Sequence, residues 1–441
     1  MKFVYSLYAS ILLLITMCEA IYEEAELNDD FYNNWLEKYR AVSGNEHPPK
    51  RFRTWIQEVN RMGVSVEPSI YKPIYEHLKY LKEMGMSVDK VRNQHQKVLG
   101  MYPHLRGSVM GLTTRDLMHS QHWRSWPRSS NFDLLSSVMD PKIECFAIIH
   151  KEDEGMVLPA DDSDAPYTDM KDVFRRSETM RNLWGDYADK CIHLQAPTRF
   201  HSVPFDAAIF GINRLKGSKD IILAHEQTGI LYYDQYINSA HRAPAWENKK
   251  NIAMFRGGAT GINYAKCIED NIPLTNNPRF KLHEMTLLQR QGKIQSNVTL
   301  DFGIINFFYN KPEIRKAFAG KYQEASFLNY DLQFRNKYLV VVDGHGWPDR
   351  ISFFMSSGSL VFLATLHEDW TINQIIPGEH YIQVKPDLSD LIEKLEWAYA
   401  NDAEAKRIAQ NGKRFALSSL RRNNVKAYNG LLFMEYQALF E

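Results

Sequence analysis

The strongest constraint in this chain is a set of short apolar runs: Ile143 to Ile149, Ile252 to Phe255, Tyr338 to Val342 and Leu360 to Leu363. Each has the length of a buried strand, and each runs into polar or glycine-containing turn residues. Segments of helical periodicity, such as Glu313 to Ala319, lie between them. Strands alternating with helices predict parallel sheets of the βαβ type, so the fold class is α/β. The 441 residues are enough for two or three domains at roughly 150 residues each.

The flanks read differently. From Ala25 to about Met101, apolar residues recur at helical spacing, as in Phe31, Trp35, Tyr39 and Ile74, Leu78, Leu81, which predicts a helical N-terminal region. Toward the other end, Asp390 with Glu393 three residues later is in capping-box register and predicts a helix start. A second helix is expected from about Asp402, stopped by Gly412, and a third through Val425, Leu431, Leu432 and Tyr436.

Charge excludes one class of partner. Lys+Arg and Asp+Glu both number 53, and no long basic run offers the phosphate-neutralising surface that nucleic-acid binding needs. The first 20 residues carry Lys2 ahead of an apolar stretch from Phe3 to Cys18. This is shorter than the roughly 20 residues of a bilayer span, and Cys18 and Ala20 suit a cleavage site, so the stretch reads as a secretory signal with an uncleaved anchor as the alternative. A lumenal or secreted location follows as the expectation. Cys145, Cys191 and Cys267 allow at most one bridge, whose pairing the sequence leaves open. Asn297-Val298-Thr299 is an N-glycosylation sequon and predicts a surface position.

Candidate chemistry gathers where apolar runs end. Phe255-Arg256-Gly257-Gly258 puts an arginine and two glycines at the carboxyl end of a predicted strand, the edge where parallel sheets bind ligands. Arginine pairs bidentately with phosphate oxygens, and glycine permits close backbone approach. Asp343-Gly344-His345-Gly346-Trp347-Pro348-Asp349-Arg350 is a second strand-to-loop passage of this kind. Phe146 to Ile149 leads through His150 and Lys151 to Glu152, Asp153 and Glu154, carboxylates of which one suits a general base. The bland readings of these features are a structural arginine, a tight turn and a solvated acidic loop. Asp162 and Asp164 have the short spacing of some metal sites but lie in a polar, proline-flanked loop, and His119 and His122 read as core or surface groups. No metal site is expected.

Taken in order, these residues resemble glycosyltransferase family 90, the capsule-associated type related to protein O-glucosyltransferases and β-1,2-xylosyltransferases. The similarity is carried by Phe146-Ala147-Ile148 with Asp153-Glu154-Gly155, and by Trp246 to Lys250 leading to Phe255-Arg256-Gly257-Gly258. Its densest block is Lys337 to Gly346, Arg350, Ser356 to Phe362, Asp369-Trp370, Pro377, His380-Tyr381-Ile382 and Asp387 to Leu391. Departures from the family pattern are Phe255 in place of Trp, Asp369 in place of Glu and the absence of Trp after Pro377.

The resemblance implies a GT-B fold, with two Rossmann-like domains facing a cleft. With the leader (1–20, signal peptide or anchor) and the helical region (21–130) read above, it divides the rest into an acceptor domain (131–245) and a donor domain with the terminal helices (246–441). It implies inverting, metal-independent transfer of xylose or glucose from a UDP-sugar to a hydroxyl of a glycan or glycoprotein, with no cofactor beyond the donor. Asp153 would be the base. Lys250, Arg256, Gly257, His345, Gly346, Trp347, Pro348, Asp349, Arg350 and Asp369 would bind donor. A lumenal glycan-binding relative without activity and a secreted glycoside hydrolase are the alternative classes.

Overall fold

The structure is a computed structural model that describes residues 29–64, 68–119, 132–151, 157–158, 165–168, 170–184, 201–203, 205–224, 238–261, 267, 273–307 and 322–441. Asp153, its neighbours Glu152 and Glu154, Asp162, Asp164, His122, Cys191, the expected helix at 313–319 and the leader all lie outside these residues.

Four helices open the described chain: α1 (Asp29–Ser43), α2 (Phe52–Arg61), α3 (Lys72–Met84) and α4 (Val88–Met101). Of the aromatic residues that gave the helical period, Trp35 and Tyr39 are buried, whereas Phe31 is 36% exposed. Trp35, Tyr39, Phe52 and Trp55 pack ring on ring, with Trp35 meeting Trp55 edge-on at 5.4 Å.

Beyond them lies a four-stranded sheet in the order β1 (Val109–Thr113), β2 (Phe146–His150), β3 (Ile209–Gly211) and β5 (Ile221–Ile222). The β2–β3 and β3–β5 pairs are parallel, and β1 closes one edge antiparallel to β2, Val109 opposite His150. All five residues of β2 are buried, as its unbroken apolar run requires for an inner strand. β1 falls inside the segment expected to be wholly helical. Its sequence, Val-Met-Gly-Leu-Thr, carries too few apolar residues to announce a strand, and pairing with β2 supplies what periodicity does not.

The second sheet is parallel throughout and has the order β11 (Ile382–Gln383), β9 (Leu360–Ala364), β8 (Asn336–Val342), β6 (Lys250–Gly258), β7 (Thr299–Asn306). Side chains alternate between its faces. Ala253, Phe255, Tyr338, Val340 and Phe362 face a core shared with α5 (Pro278–Arg290), α7 (Leu391–Ala400) and α8 (Asp402–Ser419). Met254, Leu339, Val341, Val361 and Leu363 face α6 (Ile351–Ser356) and belong to a core continuous with the N-terminal half. The chain leaves β6 toward β7 on one side, then crosses to β8 on the other, so the topological switch point lies between β6 and β8.

Two expectations about the terminal helices need correction. α7 starts after Asp390 as expected, but without a capping box: the Asp390 carboxylate accepts from the Lys385 N–H (2.9 Å) and pairs with Lys394 (2.6 Å). Gly412 does not stop α8, which runs on to Ser419. A Cβ there would lie 2.5 Å from the His380 carbonyl oxygen, so the glycine serves close packing.

The last helix, α9 (Arg422–Gln437), is buried at every position from Ala427 to Gln437. It leaves the second sheet, with which sequence order had grouped it, and inserts into the first half. Trp55 donates its indole N–H to the Ala427 carbonyl (2.9 Å), Asn429 brackets the backbone of Ala224, and the Tyr436 hydroxyl donates to the Phe146 carbonyl (2.7 Å). A two-stranded ribbon makes another join: β4 (Asn213–Leu215), just past the end of β3, pairs antiparallel with β10 (His367–Asp369), just past the end of β9. Arg214 and Glu368 close it with a 2.8 Å ion pair. The ribbon therefore ties the carboxyl-end side of one sheet to that of the other.

Among the described residues no helix is long and apolar enough to cross a membrane. Cys145 is a buried thiol whose pKa burial pushes up to about 11, and Asn297 is exposed.

Candidate active site

Two loops meet at the switch point. One continues from the Gly257-Gly258 end of β6 through Ala259, Thr260 and Gly261; the other follows β8 from Asp343 to Arg350. Gly261 has φ +75°, and a Cβ there would lie 2.1 Å from the Gly344 carbonyl oxygen. The contact thus selects glycine twice over, for its backbone angle and for its size. The Gly261 N–H also points at His345 Nδ1, 3.3 Å away, which fixes that nitrogen as an acceptor.

Arg350 and Arg256 come together here. Arg350 Nη1 donates to the Arg256 carbonyl at 2.5 Å, and its guanidinium lies over the rings of Phe255 (5.9 Å) and Phe354 (5.8 Å). Arg256 is differently occupied. It is 8% exposed; Nη2 pairs with Asp301 Oδ1 on β7 (2.7 Å), Nη1 donates to the Asp301 and Phe255 carbonyls, and Nε donates to the Ser326 carbonyl (3.2 Å). Most of its donors are spent inside the protein, and Asp301 offsets its charge. Arg350 is half-buried and keeps more of its fork available.

Of the other expected residues, Gly257, Gly346 and Pro348 are buried in these loops, and Trp347 and Asp349 are half-buried. Asp369 is 4% exposed on β10, where Oδ1 accepts the Ile372 N–H (2.6 Å). Lys250 does not come to this edge. It opens β6 at the opposite end from Arg256, exposed, with its N–H on the Arg335 carbonyl (2.9 Å). A nine-residue strand at about 3.3 Å per residue separates the two ends.

Residues that the sequence did not single out hold the site's shape. Asn277 caps α5, its Oδ1 accepting from the Arg279 and Phe280 N–H groups while Nδ2 donates to the Thr260 and Gly261 carbonyls. Arg279, 7% exposed, then reaches across: Nε donates to the Asp343 carbonyl and Nη1 to the Gly258 carbonyl, both at 2.8 Å. It joins the ends of β6 and β8. Asp343 locks β8 to the turn after β9, accepting from Thr365 Oγ1 (2.5 Å) and the Leu366 N–H (2.7 Å), with His367 Nδ1 at 3.2 Å but poorly aligned. Asn277-Pro278 was a readable helix-start signal; that Arg279 would span two loops was not.

A parallel sheet whose switch point gathers arginines and closely apposed glycine loops defines an α/β protein with its candidate ligand site at the carboxyl edge of the sheet. The segment 231–441 matches the family Glycosyl transferase family 90. Protein O-glucosyltransferase 2 of Danio rerio is 29% identical over 215 residues, covering 48% of this chain and 38% of that protein. Protein O-glucosyltransferase 3 of Rattus norvegicus is 29% identical over 195 residues, 44% of this chain and 33% of that one. Uncharacterized protein 035R of Invertebrate iridescent virus 3 is 30% identical over 189 residues, 41% of this chain and 16% of the viral protein. The chain thus matches well under half the length of each of these relatives.

Proposed function

We propose that the protein is an inverting glycosyltransferase that uses a UDP-sugar, without a metal, to glycosylate a hydroxyl of a glycan or glycoprotein in the lumen of the secretory pathway. The observation that carries this reading is the meeting of Arg350 with the Arg256 carbonyl at the switch point, inside the family-matched segment. In a GT-B arrangement the donor would lie in that crevice. The β4–β10 ribbon supports such an arrangement, because it turns the carboxyl edges of the two sheets toward one region.

The leaving UDP carries negative charge that grows as the glycosidic bond breaks, and a preorganised cation stabilises it. Arg350 is the group free to do this; Arg256, neutralised by Asp301, holds Arg350 through its carbonyl and adds less charge of its own. Asp153, three residues beyond the end of β2, is the proposed base that takes the acceptor proton as the oxygen attacks the anomeric carbon. The names of the relatives weigh for glucose as the transferred sugar, with xylose beside it.

UDP release from UDP-glucose and from UDP-xylose tests the reading. The parent should release UDP from one of them, and Arg350→Ala should lower the rate by about 100-fold or more, the size of a lost transition-state donor. Asp153→Asn should collapse transfer similarly. Parental rates in both variants would overturn the assignment.

A further inference from the structure

Far from the switch point, a groove of about 810 Å³ runs between residues 43–50, α3 and the carboxyl end of α9 with the residues after it. That volume falls within the roughly 300–1,000 Å³ of small-ligand sites. Its lining shares no residue with the crevice described above.

At its floor lies Glu435, 7% exposed, with Oε1 3.3 Å from the Tyr75 hydroxyl. The Tyr39 hydroxyl lies near the same carboxyl. A carboxylate offers about four acceptor positions, and the Tyr75 hydroxyl fills one of them. Burial pushes the Glu435 pKa up to about 7.

The walls are charged but balanced. Four lysines and four glutamates line the groove, and two pairs are closed, Lys50 with Glu441 (3.0 Å) and Lys72 with Glu76 (3.4 Å). Lys79 and Lys82 on α3 then stand against Glu46 and Glu435. With these groups formally balanced, the groove carries no strong field of one sign to select an ion. Nor is it lined by a strand edge on which a peptide could add. What it presents is a dense set of hydrogen-bonding groups beside the rings of Tyr39 and Tyr75, which meet edge-on at 6.0 Å.

We propose that this groove is a second binding site, for a neutral oligosaccharide, whose hydroxyls donate to Glu435 and accept from Lys79 and Lys82. The site is independent of the donor crevice and would bind with UDP present.

Calorimetric titration of the full chain, with saturating UDP, against xylohexaose, cellohexaose, mannohexaose and a hexaglutamate peptide tests this. One neutral hexasaccharide should bind at one site. Glu435→Gln, nearly isosteric, and the surface variant Lys79→Ala with Lys82→Ala should each weaken it about tenfold or more, with thermal unfolding of the lysine variant unchanged. Absence of binding by all three sugars at millimolar concentration, equal affinity in both variants, or preference for the acidic peptide would overturn the proposal. Loss of UDP-sugar turnover has no bearing on this outcome, so the two readings fail separately.

Discussion

Arg279 shows how one side chain sets the geometry of a site it does not need to enter. Its guanidinium satisfies the Asp343 and Gly258 carbonyls, both at strand ends that carry the candidate loops. Truncation would leave the Asp343 carbonyl short of a donor, at about 1–3 kcal/mol, while the Gly258 carbonyl keeps the Thr260 N–H (2.9 Å). Arg279→Ala is therefore expected to lower unfolding stability in urea by about 1–3 kcal/mol. Arg350→Ala, on a half-buried residue with one carbonyl contact, should cost much less. Equal losses in the two variants would contradict this division between a strut and a ligand group.

Among the elements, α8 and α9 carry most of the unexpected behaviour. Alanine ordinarily favours a helix interior over glycine by about 1 kcal/mol. At Gly412 the added methyl would meet the His380 carbonyl, which is backbone and cannot swing aside. Gly412→Ala should thus lower the melting temperature despite its better propensity; a rise would show that α8 can slide. Helix α9 makes a stronger case, since its Asn429, Tyr436 and Gln437 side chains all end on backbone groups of the first half. A chain ending at Ser419 should fail to yield a soluble folded product, even though the second sheet would be complete.

For the whole molecule, two buried groups bend the pH dependence of stability in opposite directions. Glu435 titrates from an ordinary carboxyl value up to about 7 on folding, so the folded chain binds the extra proton between those values. Stability then falls as pH rises through that window, by up to about 3 kcal/mol. Lys249, 6% exposed and donating to Ser359 Oγ (3.0 Å), has its pKa lowered to about 7, chiefly by burial and secondly by Lys413. The unfolded chain binds more protons from about pH 7 to pH 10, so stability should recover over that range. Below about pH 6.5, His77, His95, His283 and His380, whose pKa values burial lowers, pull the other way, because the unfolded chain binds more protons there. The parent's urea midpoint should therefore fall relative to that of Glu435→Gln as pH rises from about 4.5 to about 7; a difference that stays constant over that range would show that Glu435 is well solvated.

What the chain settled locally was its vocabulary. Unbroken apolar runs such as Tyr338 to Val342 had to be inner strands, because alternation is absent and nothing polar needs an outer face. The spacing of Trp35 and Tyr39, and of Ile74, Leu78 and Leu81, required helices with an apolar side, and glycines after strands required turns. Short strands stayed hidden: β3, β4, β5 and β10 have three residues or fewer and exist only through their partners. Likewise Arg256 and Lys250 looked like neighbours in one motif, yet an extended strand sends them to opposite ends of the sheet. Folding alone decided that Asp301 would claim the Arg256 charge, that Arg279 would bridge two loops and that the last helix would leave its own sheet for the other. The reason is physical: periodicity encodes which face of an element is buried, whereas the partner that buries it is fixed by packing between segments far apart in the chain.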